Sequence, residues 1–506
     1  MENKLINLSN IEKVKKKIGN KKIVLCHGVF DLLHTGHLDY FKSAKKLGDI
    51  LIVSITSDKF VNKGPGRPHF DEQKRLKMIS ALEIVNYVFL NNFLTAENAI
   101  RIFKPSFYVK GPDYKDNRQD ITKNIYKENS LVKKFKGEVV YTSDELNSSS
   151  YLLNNFFSIF NEEQKEYKQN IIKNYSFEYI KSKIEKIYNT KVITIGETII
   201  DEYVFSESVG KSGKEPHLVI KDLYSEKYLG GIIAIAKHLE SFLKSINIIT
   251  LIGDNPSMLN FIKKKIGFNI KFNYIKKINS PTIIKKRIID KLSNQKLLGI
   301  YSINDRDLIK SENDKLYKIL FSGRFNKNDL VILSDYGHGF INKDIIKKIC
   351  KKFKYIYLNA QLNASNIGYH SFKNYNNFNT LIVNESELRH EYKDKKSNIQ
   401  TLIKRYSAST KLKSIVVTRG ANGALYFNKK NNKFINCPAF ANKIIDKVGA
   451  GDAFFAIFSV CDYNNFEPEL SILIASLAAA SSVESVGNSK YISKEYLLKS
   501  IQYFLK

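Results

Sequence analysis

The chain has 506 residues, 43% hydrophobic and 12% aromatic, which is too long for one ordinary core and too apolar for wholesale disorder. Its formal charge of +31 comes from Lys and Arg spread along the whole length among many Asn and Ile, so it reads as solvated surface rather than a nucleic-acid-binding stripe. Cys26, Cys350, Cys437 and Cys461 lack metal-ligand spacing, no run of about 18 apolar residues occurs, and the opening MENKLINLSNIEKVKKKIGNKK has no apolar signal core. A disulfide framework, a zinc finger and a membrane span are thereby excluded, and a cytoplasmic protein of two globular domains is expected.

From Lys21 onward, short β-branched runs (KIVLCHG, DILIVSI, NYVFL, SFYVKG, EVVYT) alternate with helically spaced segments such as Leu38, Phe41, Ala44 and Leu47. This alternation predicts a doubly wound α/β domain with a parallel sheet over residues 1–156. Residues 157–190 are polar and Lys/Glu-rich with apolar residues at helical intervals, predicting a helical connector at which the halves separate. A second α/β series fills residues 191–506, running from KVITIGETIID through IITLIG, DLVILSDYG, YIYLN and TLIVN to SIVVTRG. Residues 203–220 and the pair TIIKKRIID and KLLGIYSI fall outside that second sheet and predict a small β lid.

The first chemically loaded segment, His27-Gly28-Val29-Phe30-Asp31-Leu32-Leu33-His34-Thr35-Gly36-His37, lies between a predicted strand and a predicted helix and holds three of the nine histidines. A helix start offers unpaired N–H groups and partial positive charge to a polyphosphate. Gly36 lets the backbone approach it, while His34 and His37 supply donors for charge developing on phosphate oxygens. HGVFDLLHTGH resembles the signature of the cytidylyltransferase-like nucleotidylyltransferases. That resemblance places Gly28, Phe30, Asp31 and Gly36 at the nucleotide, His34, His37 and the loop lysine Lys63 in catalysis, and Arg75 on a helix aimed back at the site. It also assigns Lys110, Gly111 and Asp113 of VKGPDY, and Ser148, Ser149 and Ser150, to nucleotide binding. The family needs no protein nucleophile, since the sugar phosphate attacks the α-phosphate and pyrophosphate leaves, with Mg²⁺ sharing the charge.

The second segment, Asp446-Lys447-Val448-Gly449-Ala450-Gly451-Asp452-Ala453-Phe454-Phe455, precedes a strongly apolar helix. Small residues at 449–451 let backbone N–H groups converge on an anion, and Asp452 at the mouth can accept a proton from an attacking hydroxyl. A glycine-rich turn capped by Asp452 is the plain alternative. GAGDAF resembles the catalytic signature of the ribokinase-like (phosphofructokinase-B family) sugar kinases. The resemblance implies that Asn384 and Glu387 form an N-x-x-E element in which Glu387 organises Mg²⁺ through water. It implies that Thr418, Gly420 and Gly423 form a nucleotide loop, and that Asp201, Gly230 and Gly231 meet the sugar. Asp335 falls on a strand end facing the same crevice. Two features depart from the family: IIAIAKHL lacks the asparagine expected after the glycine pair, and LNAQLN at 358–363 stands where heptose kinases carry an Asp-Pro-Lys-Gly stretch.

As a whole the chain resembles bifunctional heptose-phosphate kinase/heptose-1-phosphate adenylyltransferases with the domain order reversed. The resemblance implies ATP as kinase substrate, ATP or CTP for the transferase, and a nucleotide-activated heptose-like sugar as product, destined for a surface glycan. Neither a nucleic-acid nor a membrane partner is expected, and homo-oligomerisation is left open. The rival expectations are a lone transferase carrying a non-catalytic, sugar-binding kinase-like domain, and a basic nucleic-acid-binding protein.

Overall fold

In the computed structural model, which describes residues 4–7, 9–111, 124–142, 160–363, 365–375 and 377–506, the first series of β-branched runs forms a parallel sheet. Its strands are β1 (Leu5–Ile6), β2 (Ile23–Gly28), β3 (Ile50–Thr56), β4 (Tyr87–Asn91), β5 (Phe107–Lys110) and β6 (Glu138–Tyr141), in the order β1-β4-β3-β2-β5-β6. Every neighbour pairs in parallel. Both faces are covered, as near-continuous apolar runs demand: Leu25, Ile52 and Tyr108 pack on one side, Val24, Cys26, Phe41 and Val53 on the other. The chain fills positions on one side of β2 first and on the other side later. The resulting reversal opens a crevice at the carboxyl end of β2, where His27–Gly28 lead into the helix Thr35–Lys45.

The second series builds a larger sheet from β7 (Val192–Lys211), β8 (Leu218–Gly230), β9 (Ile246–Ile252), β10 (Ile270–Lys276), β11 (Ile283–Asp290), β12 (Lys296–Ser302), β13 (Leu330–Asp335), β14 (Tyr355–Ala360), β15 (Thr380–Asn384), β16 (Ser414–Thr418), β17 (Ala424–Asn428) and β18 (Lys433–Cys437). The main path runs β10-β9-β7-β13-β14-β15-β16-β17-β18, parallel as far as β16 and antiparallel beyond. β7 serves two sheets. Val192–Glu197 pair with β9 and β13, while Ile199–Lys211 pair antiparallel with β8, and part of that stretch runs parallel to β11. With β12 hairpinned onto β11, these strands form the lid expected from the sequence. Burial does not change where β7 divides: the strand is buried through Ser206, where its pairing with β11 ends, and exposed after it, and β12 is exposed throughout.

The chain divides into two compact units, Met1–Lys165 with Leu498–Lys506, and Glu166–Leu497. The polar stretch before β7 is helical at Glu162–Asn174 and Phe177–Lys186. Most of it is anchored within the second unit, where the Tyr167 hydroxyl donates to the Glu469 carbonyl (3.0 Å) and the Tyr179 hydroxyl to Glu467 (2.6 Å). In the first unit, the Phe504 ring meets Phe160 edge-on at 6.0 Å. Among the described residues, no helix is long and apolar enough to cross a membrane.

Candidate active sites

In the first unit, His34 immediately precedes the helix Thr35–Lys45, without a side-chain capping bond, and its ring lies 3.9 Å from that of His37. Phe30 fixes this turn. It adopts φ +51°, sparsely populated for a residue with a side chain, and its ring packs edge-on against His37 (5.3 Å) and beside Phe41 (5.2 Å). Burial, then His34 and Lys63, push His37 down to about 3, and burial followed by Lys63 lowers His34, so both rings favour the neutral imidazole. Both ring nitrogens of His34 are buried without a hydrogen-bond partner among the described residues. Lys63 lies 5.5 Å over the Tyr503 ring; burial and then the charge of Arg67 bring it down to about 8. Two imidazoles and a lysine thus neighbour one another at a helix start, a set of donors able to meet phosphate oxygens.

Other residues expected at the nucleotide hold this loop from beneath. Arg75 is fully buried: Nε donates to the Phe70 carbonyl (3.0 Å), Nη1 to Val29 (2.6 Å), and Nη2 to Thr56 (2.8 Å) and the Asp58 carboxylate (2.6 Å). It braces the ends of β2 and β3, with main-chain carbonyls taking most of its fork. Asp31, also buried, accepts from the His69 and Phe70 N–H groups (2.9 Å each) and pairs with Arg67 at 3.3 Å, so it ties the Lys63 loop to the site. Lys110 ends β5 and pairs with Glu128 at 3.1 Å, with Gly111 following it. Gly28 ends β2, and Gly36 is buried in the first turn of Thr35–Lys45. Asp113, Ser148, Ser149 and Ser150 lie outside the described residues.

In the second unit, Gly449 takes φ +89° at the start of the helix Ala450–Tyr463, where a Cβ would come within 2.2 Å of the Asn488 amide oxygen. Only glycine fits. Asp452 follows in the first turn, and its Oδ1 accepts from the Tyr336 hydroxyl (3.1 Å) and the Gln361 amide (3.5 Å). Desolvation pushes Asp452 up to about 7, against the pull of those donors and Lys285, which suits a base working near neutrality. Asn384 and Glu387 form a reciprocal capping box for the helix Glu385–Tyr392. Burial raises Glu387 to about 7; its oxygens accept from the Asn384 N–H (2.8 Å) and the Leu362 N–H (3.2 Å). Thr418 ends β16, and Gly420 and Gly423 flank the turn into β17.

The sugar side is more occupied than the sequence suggests. Asp201 pairs with Arg287 at 2.5 Å, and a side chain on Gly230 would strike its carboxylate at 2.3 Å, which explains the first glycine of the pair. Gly231 opens the helix Gly231–Leu239, in which Ile232 is fully buried, so the position of the expected asparagine faces the core. Asp335 is buried and closed on both oxygens: Oδ1 accepts from the Gly337 N–H (2.9 Å), Oδ2 from the Tyr375 hydroxyl. It anchors the turn after β13, with one donor on each oxygen. Sequence reasoning missed Lys285 and Arg287 of β11, the buried Glu197 that accepts from the Tyr336 and His338 N–H groups (3.1 and 3.0 Å), and Tyr336 itself. The alternating cations of TIIKKRIID were the one available signal.

Two α/β units, each with a helix start at its strand ends carrying His or Gly-Ala-Gly-Asp residues, have an arrangement suited to phosphoryl and nucleotidyl transfer. The pfkB family carbohydrate kinase model matches residues 189–494, and the chain belongs to that family. The cytidylyltransferase-like model matches residues 25–212, so the transferase-type domain precedes the kinase domain. The chain is similar to the bifunctional protein HldE of Campylobacter concisus, 37% identical over 139 residues (27% of this chain, 29% of that protein). It is also similar to HldE of Helicobacter pylori strain P12, 40% identical over 124 residues (24% and 27%). It therefore spans less than a third of the length of these curated relatives, within its cytidylyltransferase-like region. Escherichia coli phosphofructokinase-2 in complex with fructose-6-phosphate shares the fold, with a TM-score of 0.50 and 14% identity over 63% of this chain and 100% of that one.

Proposed function

We propose that the chain phosphorylates the anomeric hydroxyl of a heptose-like sugar phosphate and then joins the resulting sugar 1-phosphate to an adenylyl or cytidylyl group. The observation that carries this is the presence, in one chain, of Asp452 beside the Gly449–Gly451 anion hole and of His34, His37 and Lys63 at a second helix start. In the kinase step the sugar hydroxyl passes its proton to Asp452, its oxygen bonds the γ-phosphorus of ATP, and the bond to ADP breaks. Lys285 and Arg287 near Asp201 give the sugar end two cations, which favours an acceptor already carrying a phosphate. In the transfer step a sugar-phosphate oxygen attacks the α-phosphorus of the nucleotide and pyrophosphate leaves, while His34, His37 and Lys63 meet the developing charge.

Glu387 fits a water-mediated Mg²⁺ role: buried, it accepts two N–H bonds and makes no ion pair among the described residues. The ion, when bound, neutralises polyphosphate charge. Small-molecule substrates of this kind suit a cytoplasmic setting without nucleic-acid or membrane partners. A second reading, a kinase domain that binds sugar without turnover, is favoured by the closure of Asp201 by Arg287. Incubation with ATP and a panel of free and phosphorylated heptoses and hexoses separates the two: ADP formation supports turnover, and its absence across the panel leaves only the transferase.

A further inference from the structure

We propose that Gln361 and Asn363, in the segment that departs from the heptose-kinase pattern, and Asn366 shortly after it act with Tyr336 as a clamp that positions Asp452 and leaves its Oδ2 to take the sugar proton. This rests on the kinase activity proposed above, and it gives that departure a role in the chemistry.

The clamp is built outward from β13. Tyr336 follows Asp335 and is buried, its N–H donating to Glu197 at 3.1 Å. Its carbonyl accepts from the amides of Asn363 (2.8 Å) and Asn366 (2.9 Å). The same Asn366 amide reaches the Gln361 carbonyl at 3.0 Å, while the Gln361 N–H donates to the Asp335 carbonyl at 2.9 Å. Two side chains on different strand ends are thus locked to one another, and both send a donor to a single oxygen, Oδ1 of Asp452: the Tyr336 hydroxyl at 3.1 Å and the Gln361 amide at 3.5 Å. No described residue donates to Oδ2. A carboxylate held through one oxygen cannot rotate freely, and its unengaged oxygen is the one that takes the proton.

Hydrogen bonds to an ionised carboxylate favour that form, so the clamp opposes the desolvation acting on Asp452. The charged and titratable groups facing it are Tyr336 after β13, Asp201 on β7, which raises it, and Lys285 on β11, which lowers it; Arg287 is held by Asp201. Removing the Tyr336 hydroxyl therefore moves the Asp452 midpoint upward, and the acid limb of the kinase rate moves with it.

The test compares wild type, Tyr336→Phe and Gln361→Leu in the full chain. The Asp452 carboxylate band is titrated by infrared difference spectroscopy, with Asp452→Asn as the blank, and phosphoryl transfer is followed against pH. The account expects the Tyr336→Phe midpoint to rise by about one pH unit, a smaller rise for Gln361→Leu, and kcat falling about tenfold with KM for ATP little changed. Should Tyr336→Phe fail to fold, Gln361→Leu still carries the test, since it leaves Tyr336 in place. A midpoint unmoved in every folded variant overturns the clamp even if the kinase is active. A midpoint that moves in a protein phosphorylating no sugar upholds the clamp and overturns the kinase reading instead.

Discussion

Asp452→Asn separates function from stability within one side chain. The substitution keeps size and helix-capping capacity but removes the base, so sugar phosphorylation should fall ~100-fold or more, while pyrophosphate release at the first site persists. Stability should move the other way. At about 1.4 kcal/mol per pH unit, a carboxyl raised from 3.8 to about 7 sets a ceiling of about 4 kcal/mol on the penalty to the folded state above pH 7. Asp452 is only half-buried, which reduces this to about 2 kcal/mol. Because the folded-state value is the higher one, the penalty is fully present above about 7, fades toward pH 4 and vanishes below 3.8, where the carboxyl is protonated in both states. Differential scanning calorimetry should therefore show the second unit of Asp452→Asn unfolding a few degrees above wild type at pH 8, with the gap closing by pH 4.5. A variant no more stable than wild type at pH 8, with phosphorylation reduced less than tenfold, would refute both the desolvation and the base assignment.

His37→Ala should lower pyrophosphate release ~100-fold while shifting the melting temperature little, read by a coupled pyrophosphatase assay and thermal unfolding. Lys63 holds its charge only below about 8, so kcat/KM for nucleotidyl transfer should decline above that pH, and Lys63→Arg should remove the basic limb from the accessible range. Arg75→Lys cannot satisfy the Val29, Thr56 and Phe70 carbonyls together, and should destabilise the first unit by about 3 kcal/mol in urea unfolding, with transferase activity lost alongside. A fragment of residues 1–165 lacks the Leu498–Lys506 segment of its unit, including the Phe504 contact with Phe160, and should melt below the same unit in the full chain.

Strand–helix alternation, the β lid and the turns into the helices Thr35–Lys45 and Ala450–Tyr463 were legible because each is written in local periodicity or in a compact run of Gly, His and Asp. β1 escaped, since two residues on a sheet edge carry no period. The structural partners of Arg75 and Asp335 escaped for a different reason: Val29 and Thr56 for one and Tyr375 for the other are distant in sequence, and no local pattern announces them. Tyr336 and Gln361 were invisible for the same reason, since only the folded sheet sets the ends of β13 and β14 against the helix carrying Asp452. The polar stretch before β7 read as a connector because its exposed face dominates its composition, while Tyr167 and Tyr179, which anchor it, look like ordinary surface aromatics.

The central claim, two sequential activities in one chain, is tested most directly by following ADP and pyrophosphate together in a single reaction containing ATP, CTP and a heptose phosphate. The account predicts that ADP appears first, that pyrophosphate follows to one equivalent per ADP, and that added sugar 1-phosphate restores pyrophosphate release in Asp452→Asn. Pyrophosphate release that is independent of any sugar 1-phosphate, or absent with every one supplied, would contradict it.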